Sequence, residues 1–232
     1  MDRITRSRLL LLALLLAPLA ACEHAGSPAR SARGHAHGHH SFEGAEQWAQ
    51  RFDDPARDAW QKPEAVLARL ELEDGMRVAD IGAGTGYFAV RLARALPAGR
   101  VYGIDVEPDM VRYLNERAAK EGLPNLEGRL SKPDDPELPE AVDLVLVVDT
   151  YHHIEDRVAY FARLAGQLAP AARVAIVDFK PGDLPVGPPD EMKIPAERIR
   201  EEMTAAGYRL DVDDRALLPY QDLLIFTAPD RR

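Results

Sequence analysis

The stretch that most constrains this chain is residues 76–91, M-R-V-A-D-I-G-A-G-T-G-Y-F-A-V-R. A short β-branched run at 78–81 ends in three alternate glycines, Gly82, Gly84 and Gly86. An apolar-periodic helix then opens with Phe88, Val90 and Leu92. Strand, glycine turn and helix in that order form a βα unit able to cradle a nucleotide-like ligand. Glycine is needed because such a turn visits backbone angles that a Cβ forbids, and because the ligand must touch the main chain. The helix beyond it offers free N–H groups and a partial positive charge at its start.

Spacing decides between ligands. A dinucleotide fingerprint, G-x-G-x-x-G, requires glycine at position 87, where this chain has Tyr87. Asp80 stands two residues before the first glycine, where a carboxylate serves an ammonium group well and a pyrophosphate poorly. The run V-A-D-I-G-A-G-T-G-Y-F resembles motif I of the class I S-adenosylmethionine (SAM) methyltransferases, whose ligand carries an amino acid end and no phosphate.

The helix after the turn should run to about residue 96, and a second strand at 101–104 ends at Asp105, 23 residues past Gly82. An acidic residue there can accept both ribose hydroxyls. V-Y-G-I-D-V-E-P-D-M-V resembles motif II of the same family, which implies Asp105 as the ribose ligand with Val106 beside it. Glu107 and Asp109 read as first-turn acids of a helix over 108–121, closed by Gly122. A third strand, 126–130, leads into S-K-P-D-D-P-E-L-P, where the family places an adenine contact; Ser131, Asp134 and Asp135 are all candidates.

Strand four, 142–148, is an apolar run but for Asp143, as expected of a central parallel strand buried on both faces. It ends D-T-Y-H-H-I. Ligands in open α/β sheets bind outside the carboxyl ends of the strands where strand order reverses, and strands one and four flank that point. Topology therefore places Asp149, Tyr151, His152 and His153 at the mouth. The run resembles the motif IV region of small-molecule methyltransferases. The histidines either meet the substrate or cap the next helix, 156–169, with one ring buried and hydrogen-bonded.

A fifth strand, 173–178, follows L-A-P-A-A-R, which resembles the family's L-x-P-G-G-x turn with both glycines replaced by alanine. The turn is expected to use angles alanine tolerates. The proline-rich 181–195 reads as a substrate-side loop. A helix over 196–206 and two strands, 208–217 and 222–227, resemble the antiparallel hairpin that ends this fold. The expected architecture is α/β, Rossmann-like and doubly wound: a mostly parallel seven-stranded sheet with a C-terminal antiparallel hairpin.

Upstream, three segments are distinguishable: 1–22, 23–42 and a domain over 43–232 whose N-terminal helices occupy 43–72. Arg3, Arg6 and Arg8 precede an apolar run at 9–16, too short to span a bilayer. It ends L-A-A-C, which resembles a bacterial lipobox, implying lipidation of Cys22, the single cysteine. An ordinary signal peptide is the alternative. Glu23 follows, so resemblance to the Gram-negative sorting rule implies export to the outer membrane, facing the periplasm. The 23–42 segment reads as a flexible tether carrying His24, His35, His37, His39 and His40. Those imidazoles either bind Zn, Cu or Ni or are simply solvated. No metal is expected at the nucleotide-like site. Residues 43–61 read as two short helices broken at Asp54-Pro55. Trp48, Phe52 and Trp60 either pack the core or lie over the cofactor.

The family resemblance, over roughly 63–228, implies methyl transfer from SAM to a small-molecule acceptor. It implies cofactor contacts at Asp80, Gly82, Ala83, Gly84, Gly86, Asp105, Val106 and Asp149. His152 or His153 would act as base near neutral pH, with Tyr151 orienting the acceptor. A formal charge of -9 gives no electrostatic reason to expect nucleic acid. With no thiol beyond Cys22, the multi-cysteine chemistry of arsenite methylation is set aside. An exported protein sits where SAM is not made, so a non-catalytic SAM- or nucleoside-binding sensor or scaffold is the competing reading. The sequence names neither the acceptor nor an oligomeric state.

Overall fold

The computed structural model describes residues 44–230. The expected signal segment, Cys22 and the expected histidine-rich tether lie outside the described residues.

The glycine turn and the strands around it dictate the architecture. Seven strands form one sheet in the order β3-β2-β1-β4-β5-β7-β6. They are β1 (Arg77–Ile81), β2 (Arg100–Asp105), β3 (Leu126–Leu130), β4 (Val142–Val148), β5 (Leu168–Phe179), β6 (Arg209–Asp214) and β7 (Gln221–Thr227). The first five are mutually parallel, while β7 runs antiparallel to both β5 and β6. Strand order reverses between β1 and β4, which puts their carboxyl ends on either side of a crevice.

Alternation along the strands builds two cores. On β4, Val145 and Val147 enter one apolar cluster, while Leu144, Leu146 and Val148 enter the other. The first is completed by α6 (Arg157–Ala165) and α7 (Ala196–Ala205), through Tyr160, Phe161, Leu164, Ile199 and Met203. The second is completed by α3 (Pro63–Arg69), α4 (Tyr87–Ala95) and α5 (Pro108–Lys120), through Val66, Phe88, Leu92 and Leu114. Each such fully buried aliphatic side chain contributes roughly 1.5–3 kcal/mol. A strand covered on both faces has no polar side to show, hence the apolar run 144–148 that makes up β4 beyond Asp143.

Ahead of the sheet, α1 (Ala45–Phe52) is followed by a 3-10 turn at Pro55–Arg57 and by α2 (Asp58–Gln61). The break falls at Asp54-Pro55 as expected, and the Asp54 carboxylate accepts from the Ala56 amide to start the new turn. Asp109 does more than the sequence foretells. Besides sitting in the first turn of α5, its Oδ2 accepts from the Gly44 and Ala45 amides at 2.9 and 2.7 Å, capping α1 from a distant helix.

Three boundaries differ from expectation. Helix α6 stops at Ala165, four residues early, because β5 already starts at Leu168. Leu168 pairs with Val142 and Arg173 with Leu144, so the P-A-A stretch bulges out of the strand. Within it Ala171 adopts φ 56, the left-handed geometry that a turn built on alanine was expected to avoid. That costs roughly 1–2 kcal/mol, carried here by the strand pairing on either side. Finally β6 ends at Asp214, short of residue 217, because the Asp214 carboxylate accepts the Ala216 and Leu217 amides and turns the chain.

Candidate functional site

The glycine turn sits where β1 gives way to α4. Gly82 and Gly86 have φ of 74 and 93 and are hemmed in. A Cβ on Gly82 would stand 2.1 Å from Thr150 Oγ1, and one on Gly86 2.4 Å from Leu114 Cδ1. The Gly82 and Ala83 amides are held by the Ile104 carbonyl, and the Gly84 amide donates to Asp105 Oδ2 at 2.8 Å. The turn is thus fixed from β2, α5 and the loop after β4 together. Within it the Thr85 hydroxyl is buried and has no hydrogen-bond partner among the described residues.

Three carboxylates surround the turn. Asp80 is 3% exposed, and burial pushes its pKa up to about 7, against the pull of the Arg57 charge and with a push from Asp105. The Ala89 amide, in the first turn of α4, hydrogen-bonds to it. Asp105 closes β2 and takes the Gly84 and Glu107 amides on its two oxygens; burial raises its pKa despite those bonds. Beside it Val106 and, on the neighbouring strand, Leu130 are 46% and 54% exposed, an uncovered apolar pair at the strand ends. Asp149 has φ 54 and a half-buried carboxylate. Burial pushes its pKa to about 7, with Arg57 pulling the other way. The Arg57 guanidinium lies 3.2 Å from Asp149 Oδ2, and Gln221 of β7 hydrogen-bonds to Oδ1.

The histidines part company. His152 turns its ring into the protein, with Nδ1 2.8 Å from Oδ1 of the fully buried Asp178 at the end of β5. The His152 main-chain amide also reaches Asp178, at 3.2 Å. Burial works to lower the His152 pKa, and the Asp178 hydrogen bond and charge outweigh it, leaving it raised. His153 is exposed, its ring centroid 4.2 Å from that of His152. Neither caps α6, whose N-cap is Asp156.

Tyr151 corrects the sequence reading. It is 0% exposed, stacks on Phe161 at 5.5 Å and donates its hydroxyl to Glu202 of α7 at 2.8 Å. It ties the β4 loop to the core and does not face the mouth. Burial raises its pKa, with the Glu202 hydrogen bond adding to the effect. Asp134 and Asp135 are engaged elsewhere, with Arg163 and Gln167 respectively, and the Ser131 amide donates to the Asp105 carbonyl.

Three residues that matter here escape the sequence reading: Arg57, Asp178 and Gln221. Only Asp178 leaves a signal, a carboxylate closing the otherwise apolar run V-A-I-V-D-F. Among the described residues no group of three or more His, Cys, Asp or Glu side chains is placed to hold a metal ion, and no helix is long and apolar enough to cross a membrane. A cavity of about 510 Å³, lined by Glu71, Asp74, Asp143 and Arg173 among others, opens beside the start of β1 and β4, at the far end of the sheet from these groups.

Comparison with known proteins agrees with this geometry. A family described as a methyltransferase domain matches residues 72–216. A trans-aconitate 2-methyltransferase of Rhodopseudomonas palustris is 31% identical over 135 residues, 57% of this chain and 48% of the relative. A 27-O-demethylrifamycin SV methyltransferase of Amycolatopsis mediterranei is 34% identical over 141 residues, 59% and 49%. The chain thus spans about half the length of the curated relatives it matches. A SAM-dependent methyltransferase from Aquifex aeolicus superposes with a TM-score of 0.74 at 28% identity, over 78% of this chain and 97% of that one. The [4+2]-cyclase SpnF shares the fold alone, at TM-score 0.62 and 18% identity, over 74% and 81%.

Proposed function

This chain belongs to the methyltransferase domain family, and we propose that it transfers the methyl group of SAM to a small-molecule acceptor. SAM is the cofactor, and the residues present fit it. The turn has no Cβ at its three glycines, a buried Thr85 hydroxyl stands unpartnered beside them, and the carboxylates of Asp80 and Asp149, suited to a cation, lie next to it, Asp149 already paired with Arg57. When bound, SAM supplies an already activated methyl group.

The chain's own part is to bind, orient and move a proton. Asp80 and Asp149 hold the cationic amino acid end, and Gly82, Ala83, Gly84 and Gly86 offer it backbone. Asp105 has lone pairs left on both oxygens for the ribose hydroxyls. Val106 and Leu130 offer apolar surface to the base. His152 takes the acceptor's proton on Nε2: Asp178 holds Nδ1 as the N–H donor, so the other nitrogen is the acceptor. The buried His152–Asp178 pair, beside the carboxyl ends of β4 and β5, is the observation that supports catalysis over mere binding. His153, exposed beside it, contacts the acceptor. Two of the relatives carry small-molecule acceptors in their names, which supports that class here.

The test is calorimetric binding of SAM to the protein and to an Asp105→Ala variant. We expect micromolar to sub-millimolar affinity, about ten- to a hundredfold weaker in the variant, for loss of charged hydrogen bonds worth roughly 1.5–3 kcal/mol each. No binding at millimolar SAM overturns the reading.

Export and lipidation at Cys22 belong to the same proposal, supported by the L-A-A-C run behind the apolar segment at 9–16. Fatty-acid labelling that is unchanged in a Cys22→Ala variant overturns it. That address also favours the second reading, a non-catalytic SAM sensor, which binding without turnover across acceptors would establish.

A further inference from the structure

The carboxylates assigned to the cofactor's cation already face a cation of the chain's own. Arg57 reaches Asp149 from the 3-10 turn between α1 and α2, and the two side chains are only 14% and 23% exposed, so the pair is poorly screened. The guanidinium is aimed by the Phe52 carbonyl at 3.0 Å and by Gln61 Oε1 at 3.1 Å. It lies 4.1 Å over the ring of Tyr87, the residue that opens α4 after the glycine turn. The Phe52 ring comes within 3.5 Å of the point where a Gly84 Cβ would stand.

The whole 45–61 segment is keyed to the same turn. Arg117 bridges Asp53 and the Thr85 carbonyl at 2.8 and 2.9 Å. Asp58 hydrogen-bonds to Tyr87 and pairs with Arg91 at 3.0 Å. Gln61, fully buried, donates to Gln221, which in turn donates to Asp149. A guanidinium and an ammonium at one carboxylate repel each other, and Phe52 lies where a ligand must touch the backbone.

We propose that residues 45–61 form a built-in plug, in which Arg57 takes at Asp149 the position that the proposed function gives to the ammonium of SAM, so that docking of the segment and binding of the cofactor exclude one another. The inference rests on that function. Free energy that holds the plug down is subtracted from SAM affinity, and anything that loosens the plug raises it.

The chain reports on this directly, because both of its tryptophans, Trp48 and Trp60, lie on the plug. SAM is titrated into wild type, Arg57→Gln and Asp58→Asn, following tryptophan emission and calorimetric heat. Asp58→Asn loosens the clasp while leaving the cofactor's carboxylates in place. We expect SAM to shift the emission of wild type, and both variants to bind SAM about tenfold tighter, as for a plug closed about nine-tenths of the time. Equal or weaker binding in the variants, or emission indifferent to SAM, overturns the plug; weaker binding in Arg57→Gln alone would make Arg57 a cofactor ligand. If none of the three proteins binds millimolar SAM, the cofactor reading itself falls.

Discussion

His152 and Asp178 stand 26 residues apart in sequence, yet Nδ1 of one is 2.8 Å from Oδ1 of the other. They meet because β4 and β5 are adjacent parallel strands: Asp178 lies near the end of β5, and His152 in the 3-10 turn Tyr151–His153 just after β4. Asp178 also takes the Phe179 amide at 2.7 Å, so the carboxylate cannot swing away.

Replacing Asp178 by asparagine keeps the shape and removes the charge. The His152 pKa, held up by that partner against burial, should fall in Asp178→Asn, and the acid limb of turnover should move to lower pH with it. Turnover should drop by about 10²–10⁴-fold, while SAM affinity stays as in wild type. Ring-nitrogen NMR titration of His152 checks the first outcome without any acceptor.

Asp80 makes stability and cofactor binding run opposite ways with pH. Its folded pKa of about 7 lies above an unfolded value of roughly 3.9. The stability from keeping it neutral is therefore full below about pH 4 and lost as pH rises through 7. A cation binds the ionised form, so SAM should raise the melting temperature more at pH 8 than at pH 6. Melts between pH 5 and 8, with and without SAM, check both signs, and Asp80→Asn should flatten the ligand-free slope.

Gly86→Ala tests how tightly the turn is clamped. The new methyl would lie 2.4 Å from Leu114 Cδ1 at a φ of 93. Left-handed strain and overpacking together predict a loss of roughly 2–4 kcal/mol, measured as a lower urea midpoint at unchanged slope.

Tyr151→Phe separates core from catalysis. Glu202 keeps its bonds to Arg157 and Arg198, at 2.6 and 2.8 Å, when the tyrosine hydroxyl is removed. The cost should be about 1 kcal/mol, with turnover and SAM affinity unchanged. A loss of turnover at full stability would return Tyr151 to the acceptor site.

Much of the sheet is legible in the sequence, and the reason is period. β4 falls on the expected residues because an apolar run buried on both faces has sharp ends. The glycine turn and Asp105 are local motifs and read equally well. Ala171 is missed because its left-handed φ is imposed by pairing on both sides of a bulge, against the residue's own preference. Tyr151 is misplaced because topology says which loop lies at the mouth but not which way a side chain turns. Arg57 and Gln221 are invisible for a different reason: their partner, Asp149, is 92 and 72 residues away, and no local pattern links them.

Strand β7 lies inside the sheet, between β5 and β6, although it follows both in the chain. It carries Gln221, which fixes Asp149 and reaches Gln61 across 160 residues. During synthesis the edge made by β5 therefore waits, unpaired, until β7 emerges and inserts, and β6 has no neighbour until then. Such non-local pairing is slow and leaves a sticky edge exposed meanwhile. A nascent chain halted before residue 221 would display the glycine turn but not the group that steadies Asp149, so competence to hold a ligand arrives only as the final interior strand closes.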